Sequence, residues 1–300
     1  MSLVLKTILA NHAPTLSDLL RMRMKKLTGL IAAPHTPFDE QGEVNYPVID
    51  QIAEHLVNDG VKGVYVCGTT GEGIHCSVEE RKKIAERWVK AAQGKLSITL
   101  HTGALSIKDA VDLSRHAETL DIFATSAIGP CFFKPGNIDD LIAYCQAIAA
   151  AAPSKGFYYY HSGMSGVNLD MEQFLIKAES KIPNLSGIKF NNADLYEFQR
   201  CLRVSGGKFD IPFGSMNIYR VVWQWELLAQ SAVLIITPRR YSIKSLLILM
   251  LAIKLPYNAV WIRLLLLFAF WSNLVALLPV KLQCNYTVLM PVIHACHYVR

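Results

Sequence analysis

The chain has 300 residues, 52% of them apolar, with 30 Lys and Arg against 24 Asp and Glu for a net charge of +6. That length and apolar content can bury a large core, and suit one big α/β domain or two small ones. The charge is confined to one end: residues 216–300 hold eight Lys and Arg and a single acid, Glu226, which leaves −1 on the first 215 residues. The basic balance therefore gives no argument for a nucleic-acid partner.

In chain order, residues 1–20 mix polar and apolar side chains (Asn11, His12, Ser17, Asp18) and lack the uninterrupted apolar core of a signal peptide. With Met22 and Met24 just ahead of the first strand pattern, residues 1–23 read as an N-terminal extension, disordered or a start-site artefact. From residue 27 to 214, short apolar runs alternate with amphipathic segments. Strands are predicted over 27–34, 63–68, 97–103, 123–130, 156–161, 185–191 and 208–214. Helices are predicted over 46–58, 77–92, 107–119, 138–151, 171–181 and 194–204. Alternation of this kind argues for parallel βαβ units. Even spacing without a dinucleotide fingerprint favours a (β/α)8 barrel spanning 24–215 over a doubly wound sheet, with an eighth strand missing from view.

The seven cysteines (Cys67, Cys76, Cys131, Cys145, Cys201, Cys284 and Cys296) form no C-x-x-C pair and no regular spacing. Such usage is that of a reducing compartment, and predicts a cytoplasmic protein.

In such barrels chemistry sits at the carboxy ends of the strands, where the unusual residues of this chain collect. After strand two comes Gly68-Thr69-Thr70-Gly71-Glu72-Gly73, whose glycines let the backbone turn tightly while hydroxyls and amides converge. That loop suits a carboxylate or a phosphate, although a purely structural turn is the plainer reading. After strand five comes Tyr158-Tyr159-Tyr160-His161, in which alternation turns some rings outward. A core tyrosine is the ordinary explanation there; a phenol near a reactive amine could instead shuttle protons. Strand six, Leu185-Ser186-Gly187-Ile188-Lys189-Phe190, carries one lysine in an apolar run. Its head either snorkels to water from an edge strand or is buried, and burial lowers a lysine pKa and frees the amine as a nucleophile.

Together, the run from Gly63 through Gly73 and on to Glu80, the strand-five tyrosine and Gly187-Ile188-Lys189-Phe190 resemble the class I aldolase superfamily of N-acetylneuraminate lyase and dihydrodipicolinate synthase. Residues 132–135, 157–161 and 164–167, with Phe190, are similar to the lyase branch. The synthase branch carries an arginine shortly after the strand-five tyrosine, where this chain reads His161-Ser162-Gly163-Met164-Ser165-Gly166.

The resemblance implies a TIM-barrel lyase of sialic acid catabolism that uses no metal or organic cofactor and assembles as a homotetramer, without nucleic-acid or membrane partners. Its substrate would be N-acetylneuraminate and its products N-acetylmannosamine and pyruvate. Lys189 would form the Schiff base and Tyr160 would accept the C4 hydroxyl proton. Gly68, Thr69 and Thr70 would hold the substrate carboxylate, and Asn191 would contact the sugar. Two departures concern sugar contacts or proton relay: Asn191 stands where a threonine or serine is common, and neither Phe132 nor Phe133 can pass on a proton. Another pyruvate aldolase or synthase of the superfamily, or an inactive relative, is the alternative.

The resemblance also implies an acidic pair after Phe213-Gly214 and a later Gly-Ser-Thr-Tyr-Asn strand. The chain instead reads Ser215-Met216-Asn217 and then leucine-rich sequence with no glycine and no aspartate. Back-translated as TCG-ATG-AAY, that tripeptide contains GAT-GAA, Asp-Glu, and residues 231–241 permit Gly-Ser-Thr-Tyr-Asn in the same shifted frame. A single frameshift at about Ser215, natural or from sequencing, accounts for a tail over 216–300 that replaces the barrel's end. It also deprives three features of meaning: the nearly uncharged run 261–280 of membrane-spanning length, the His294 and His297 pair, and the sequon at Asn285.

Overall fold

A computed structural model of the chain describes residues 26–215 and 233–236, all within one compact unit. Its elements alternate: β1 (Leu30–Ala33), α1 (Tyr46–Asn58), β2 (Gly63–Val66), α2 (Val78–Ala92), β3 (Ser97–His101), α3 (Ile107–Glu118) and β4 (Ala124–Ile128). They continue with α4 (Ile138–Ala149), β5 (Gly156–Ser162), α5 (Met171–Ala178), β6 (Leu185–Asn191), α6 (Leu195–Arg203) and β7 (Val233–Ile236). The strands form one parallel sheet in the order β6-β5-β4-β3-β2-β1-β7. This is an α/β fold curled as a partial TIM barrel.

The helices begin where the sequence offers caps. Ser77 accepts from the Glu80 amide while the Glu80 carboxylate accepts from the Ser77 amide, a full capping box at the start of α2. Ser106, Asn137, Asp170 and Asp194 cap α3, α4, α5 and α6. Each such cap is worth about 1 kcal/mol. Helix α2 then buries Ile84, Ala85, Trp88 and Ala92 along one face.

Period-two alternation sorts the strand residues. Leu27, Ile31, Tyr65, Ala124, Tyr158 and Tyr160 form an inner cluster. The intervening residues point out to the helices: Tyr159 packs on Phe174 of α5 at 5.0 Å, and Phe190 on Phe198 of α6 at 5.3 Å.

The predicted seventh strand, 208–214, runs parallel along the free edge of β6. Asp210 N–H donates to Ser186 O, Ile188 N–H to Asp210 O, Phe190 N–H to Pro212 O and Gly214 N–H to Phe190 O. It registers only as two separate bridges, at Asp210 and Phe213, because Pro212 has no N–H to give. A Cβ on Gly187 would strike the Asp210 carbonyl, so glycine is what lets this segment approach. Asp210 also ties the amino end of the barrel together, accepting from Tyr158 Oη at 2.7 Å and from the Leu27 amide at 2.8 Å.

The eighth position departs from expectation. Val233–Ile236 pairs with β1 in parallel, Leu30 with Val233 through Ala33 with Ile236. A Val-Leu-Ile-Ile run has the β-branched composition that a sheet edge accepts whatever its reading frame. Among the described residues, no bridge joins β7 to the 208–214 segment.

The extension 1–23, the rest of the 216–300 tail, the 261–280 run, Asn285, His294 and His297 lie outside the described residues. Among the described residues, no helix is long and apolar enough to cross a membrane, and no cluster of His, Cys, Asp and Glu could hold a metal.

Candidate active site

Adjacent strands bring the site together. In the β5–β6 register Tyr160 pairs with Lys189 and Ser162 with Asn191, so lysine and tyrosine point to the same inner face near the carboxy ends. Lys189 is 3% exposed. Its Nζ lies 3.4 Å from the ring centroid of Tyr65 on β2 and 3.8 Å from that of Tyr160. The two rings meet edge to face at 5.7 Å.

Among the described residues no carboxylate forms an ion pair with Lys189, and burial pushes its pKa well below the ordinary lysine range. Two aromatic faces favour the ammonium by about 2 kcal/mol or more per desolvated contact, against the several kcal/mol that an unpaired buried charge costs. On balance desolvation favours the neutral amine, the form that can act as a nucleophile.

Tyr65 is fixed from below. Its Oη donates to Ser126 Oγ at 2.9 Å, and Ser126 Oγ donates to Tyr158 O at 2.8 Å, so the phenol proton faces away from the amine. Tyr160 has a different partner: Asn191 Nδ2 donates to its Oη at 3.3 Å.

The glycine loop arrives at the same end through Tyr65. A Cβ on Gly68 would lie 2.6 Å from Tyr65 Cε1, so the loop backbone leaves β2 flush against the ring that Lys189 covers. Beyond it the chain folds back on itself. Gly73 N–H donates to Gly68 O at 3.2 Å, Glu72 N–H to Thr69 O at 3.1 Å, and Thr36 Oγ1 to Gly71 O at 2.6 Å. Cys67 sits at φ 55° and Glu72 at φ 51°, both in the left-handed region. The amides of Thr69 and Thr70 donate to no other described residue, which leaves two N–H groups and two hydroxyls for an anion.

Lys189, Tyr160, Asn191 and Gly68 thus converge around one aromatic wall, and Thr69 and Thr70 follow on the same loop. Phe132 and Phe133 instead stand out on the β4–α4 loop, 80% and 85% exposed. Sequence reading passed over four residues. Tyr65 is one wall of the lysine site, and Ser126 holds it. His101 on β3 meets the Tyr160 ring edge-on at 6.2 Å and accepts from the Ile128 amide at Nε2, 3.1 Å away. Burial, with Arg81 and Lys189 nearby, keeps its pKa well below the usual histidine value, so it is neutral. Arg81 of α2 lies behind His101, 3% exposed. Period-two counting from Lys189 through the parallel register was the signal available for Tyr65 and His101. Nothing local marked Arg81.

The profile of the Dihydrodipicolinate synthetase family matches residues 26–221. N-acetylneuraminate lyase of Mus musculus is 45% identical over 181 residues, covering 59% of this chain and 57% of the relative, and that of Homo sapiens is 44% identical over the same shares. The chain therefore spans 57% of the length of these curated relatives. Among solved structures, an N-acetylneuraminate lyase from Aliivibrio salmonicida shares 68% identity over 70% of this chain and 69% of its own, with a TM-score of 0.67. That from Proteus mirabilis shares 62% identity over 75% of both chains, with a TM-score of 0.71.

Proposed function

The chain belongs to the Dihydrodipicolinate synthetase family, and from that premise we propose that it is a class I aldolase that cleaves N-acetylneuraminate to N-acetylmannosamine and pyruvate. The observation that carries this reading is the buried Lys189 amine between the Tyr65 and Tyr160 rings.

The neutral amine adds to the C2 ketone of the open-chain sugar acid, and loss of water leaves an iminium. Tyr160 Oη, supported by Asn191, takes the C4 hydroxyl proton as its own phenol proton passes to the substrate carboxylate. The C3–C4 bond breaks, its electron pair flows into the iminium as an enamine, and the aldehyde sugar departs. Protonation at C3 and hydrolysis return pyruvate and the free amine. Throughout, the Thr69 and Thr70 amides and hydroxyls hold the carboxylate. The cysteine usage supports a cytoplasmic setting, and a homotetramer acting in sialic acid catabolism is what the motif resemblance implies.

A second reading rests on one observation: Phe213-Gly214 is followed by Ser215-Met216 rather than an acidic pair. A chain with the nucleophile but without sugar-binding acids would bind pyruvate and fail to cleave sialic acid. The test is release of pyruvate and N-acetylmannosamine from N-acetylneuraminate, beside condensation of pyruvate with aspartate semialdehyde. Release supports the lyase, condensation supports a synthase, and neither reaction, with pyruvate still bound, supports the inactive relative.

A further inference from the structure

We propose that Arg81 is a positioning residue whose buried, unpaired positive charge selects an anionic ketone, a 2-oxo carboxylate, over a neutral one at the Gly68–Gly73 loop. The inference rests on the pyruvate-binding reading above and adds to it the origin of the charge preference.

Arg81 reaches from the first turn of α2 into the space behind β3. Nη1 donates to Gly103 O at 3.0 Å and Nη2 to His101 O at 2.7 Å. Its side chain also meets Cys67, the residue on which the loop begins. Gly71 and Gly73 both fold back over the Cys67 main chain, so the guanidinium lies under the loop that carries Thr69 and Thr70. Nε is buried and has no hydrogen-bond partner.

Among the described residues no carboxylate forms an ion pair with this guanidinium. A buried charge of this kind costs several kcal/mol when nothing answers it, and backbone carbonyls at the end of β3 answer it only partly. Burial pushes the pKa of Lys189, the buried lysine at this end, well below the ordinary lysine range, and burial keeps that of His101 between them well below the usual histidine value. Beneath the loop, therefore, the described residues place one buried guanidinium, with open amides above it. A carboxylate on Thr69 and Thr70 would supply the missing negative charge, whereas a neutral carbonyl compound would not. At an effective dielectric of about 20, a unit charge within roughly 12 Å is worth about tenfold in affinity. A mere clamp between α2 and β3 would show no such charge preference.

The test compares pyruvate with pyruvamide, its neutral isostere, as the ketone trapped by borohydride on the full chain. Arg81→Met should raise the half-saturating pyruvate concentration about tenfold and leave that of pyruvamide within about twofold, while Arg81→Lys should keep the preference. Equal weakening of both ketones, or no change in either, overturns the inference and leaves the Schiff-base reading standing. No labelling of the unaltered chain by either ketone overturns that reading and this one with it. Should Arg81→Met not fold, the unaltered chain decides: the Arg81 Nε–H resonance should move on adding pyruvate and stay on adding pyruvamide, and an unmoved resonance with bound pyruvate overturns the inference.

Discussion

Lys189 and Tyr160 are register partners on adjacent parallel strands, and the lysine amine stands 3.8 Å from the centre of the tyrosine ring. The pairing ties the proposed nucleophile and the proposed proton acceptor to a single β-ladder, so their geometry depends on the sheet rather than on a loop.

Burial that frees the amine also strains the fold. The folded pKa of Lys189 is lowered, so the folded state prefers the neutral amine, and at neutral pH the unfolded chain binds the extra proton. Lys189→Met should therefore stabilise the protein by about 1–3 kcal/mol at pH 7. The gain should shrink as pH rises toward the pKa of an unfolded lysine. Denaturant midpoints for both chains across that range check the sign; a less stable variant at pH 7 would contradict it.

Tyr160→Phe keeps the ring that lines the lysine and removes only the oxygen. Trapping of pyruvate on Lys189 should persist, while exchange of the pyruvate C3 protons into heavy water should slow by about 10²–10⁴. Asn191→Leu should slow exchange less, by about tenfold, because it removes one hydrogen bond to the phenol. Equal loss of trapping and exchange in Tyr160→Phe would assign the phenol a purely structural part.

The Gly68–Gly73 loop has no room to spare. A Cβ at Gly73 would collide with the Cys67 carbonyl, and Cys67 itself occupies φ 55°. Gly73→Ala should cost about 1–3 kcal/mol and weaken pyruvate binding together with stability. Cys67→Val, a β-branched residue at positive φ, should also destabilise, by about 1–2 kcal/mol. Thermal unfolding beside pyruvate titration measures both, and an unaffected Gly73→Ala would contradict the close approach.

Asp210 gives the barrel a pH response of its own. Burial raises its pKa, against the opposing pull of Tyr158 and Leu27, so the folded state prefers the protonated acid. Its contribution is fully present below the unfolded carboxyl pKa and is lost as pH rises through the raised folded value. Relative to Asp210→Asn, the unaltered chain should lose stability as pH rises from about 4 toward neutrality. Parallel curves for the two chains would contradict this.

Sequencing the gene across the Ser215 codon tests the account of the tail. A one- or two-base change there that restores Asp-Glu and the later glycine-rich run is the expected result, and a sequence that no such change repairs would contradict it.

The strand–helix alternation was legible because it rests on local signals: apolar periodicity and the glycines at the strand ends. Lys189, Tyr160 and the Thr69-Thr70 loop were legible through their combination, which no single segment carried. Tyr65, Ser126, His101 and Arg81 escaped because their roles exist only once the sheet curls and sets β2, β3 and β4 against β6. The seventh strand was seen as a strand, yet Pro212 breaks its ladder into separate bridges. The short strand Val233–Ile236 was not foreseen, since a hydrophobic tetrapeptide announces β propensity and not the edge it will join.

Borohydride trapping with pyruvate, followed by peptide mapping, tests the central claim most directly. A single reduced pyruvyl adduct on Lys189 is the predicted result; an adduct on any other lysine, or none with pyruvate in excess, would contradict it.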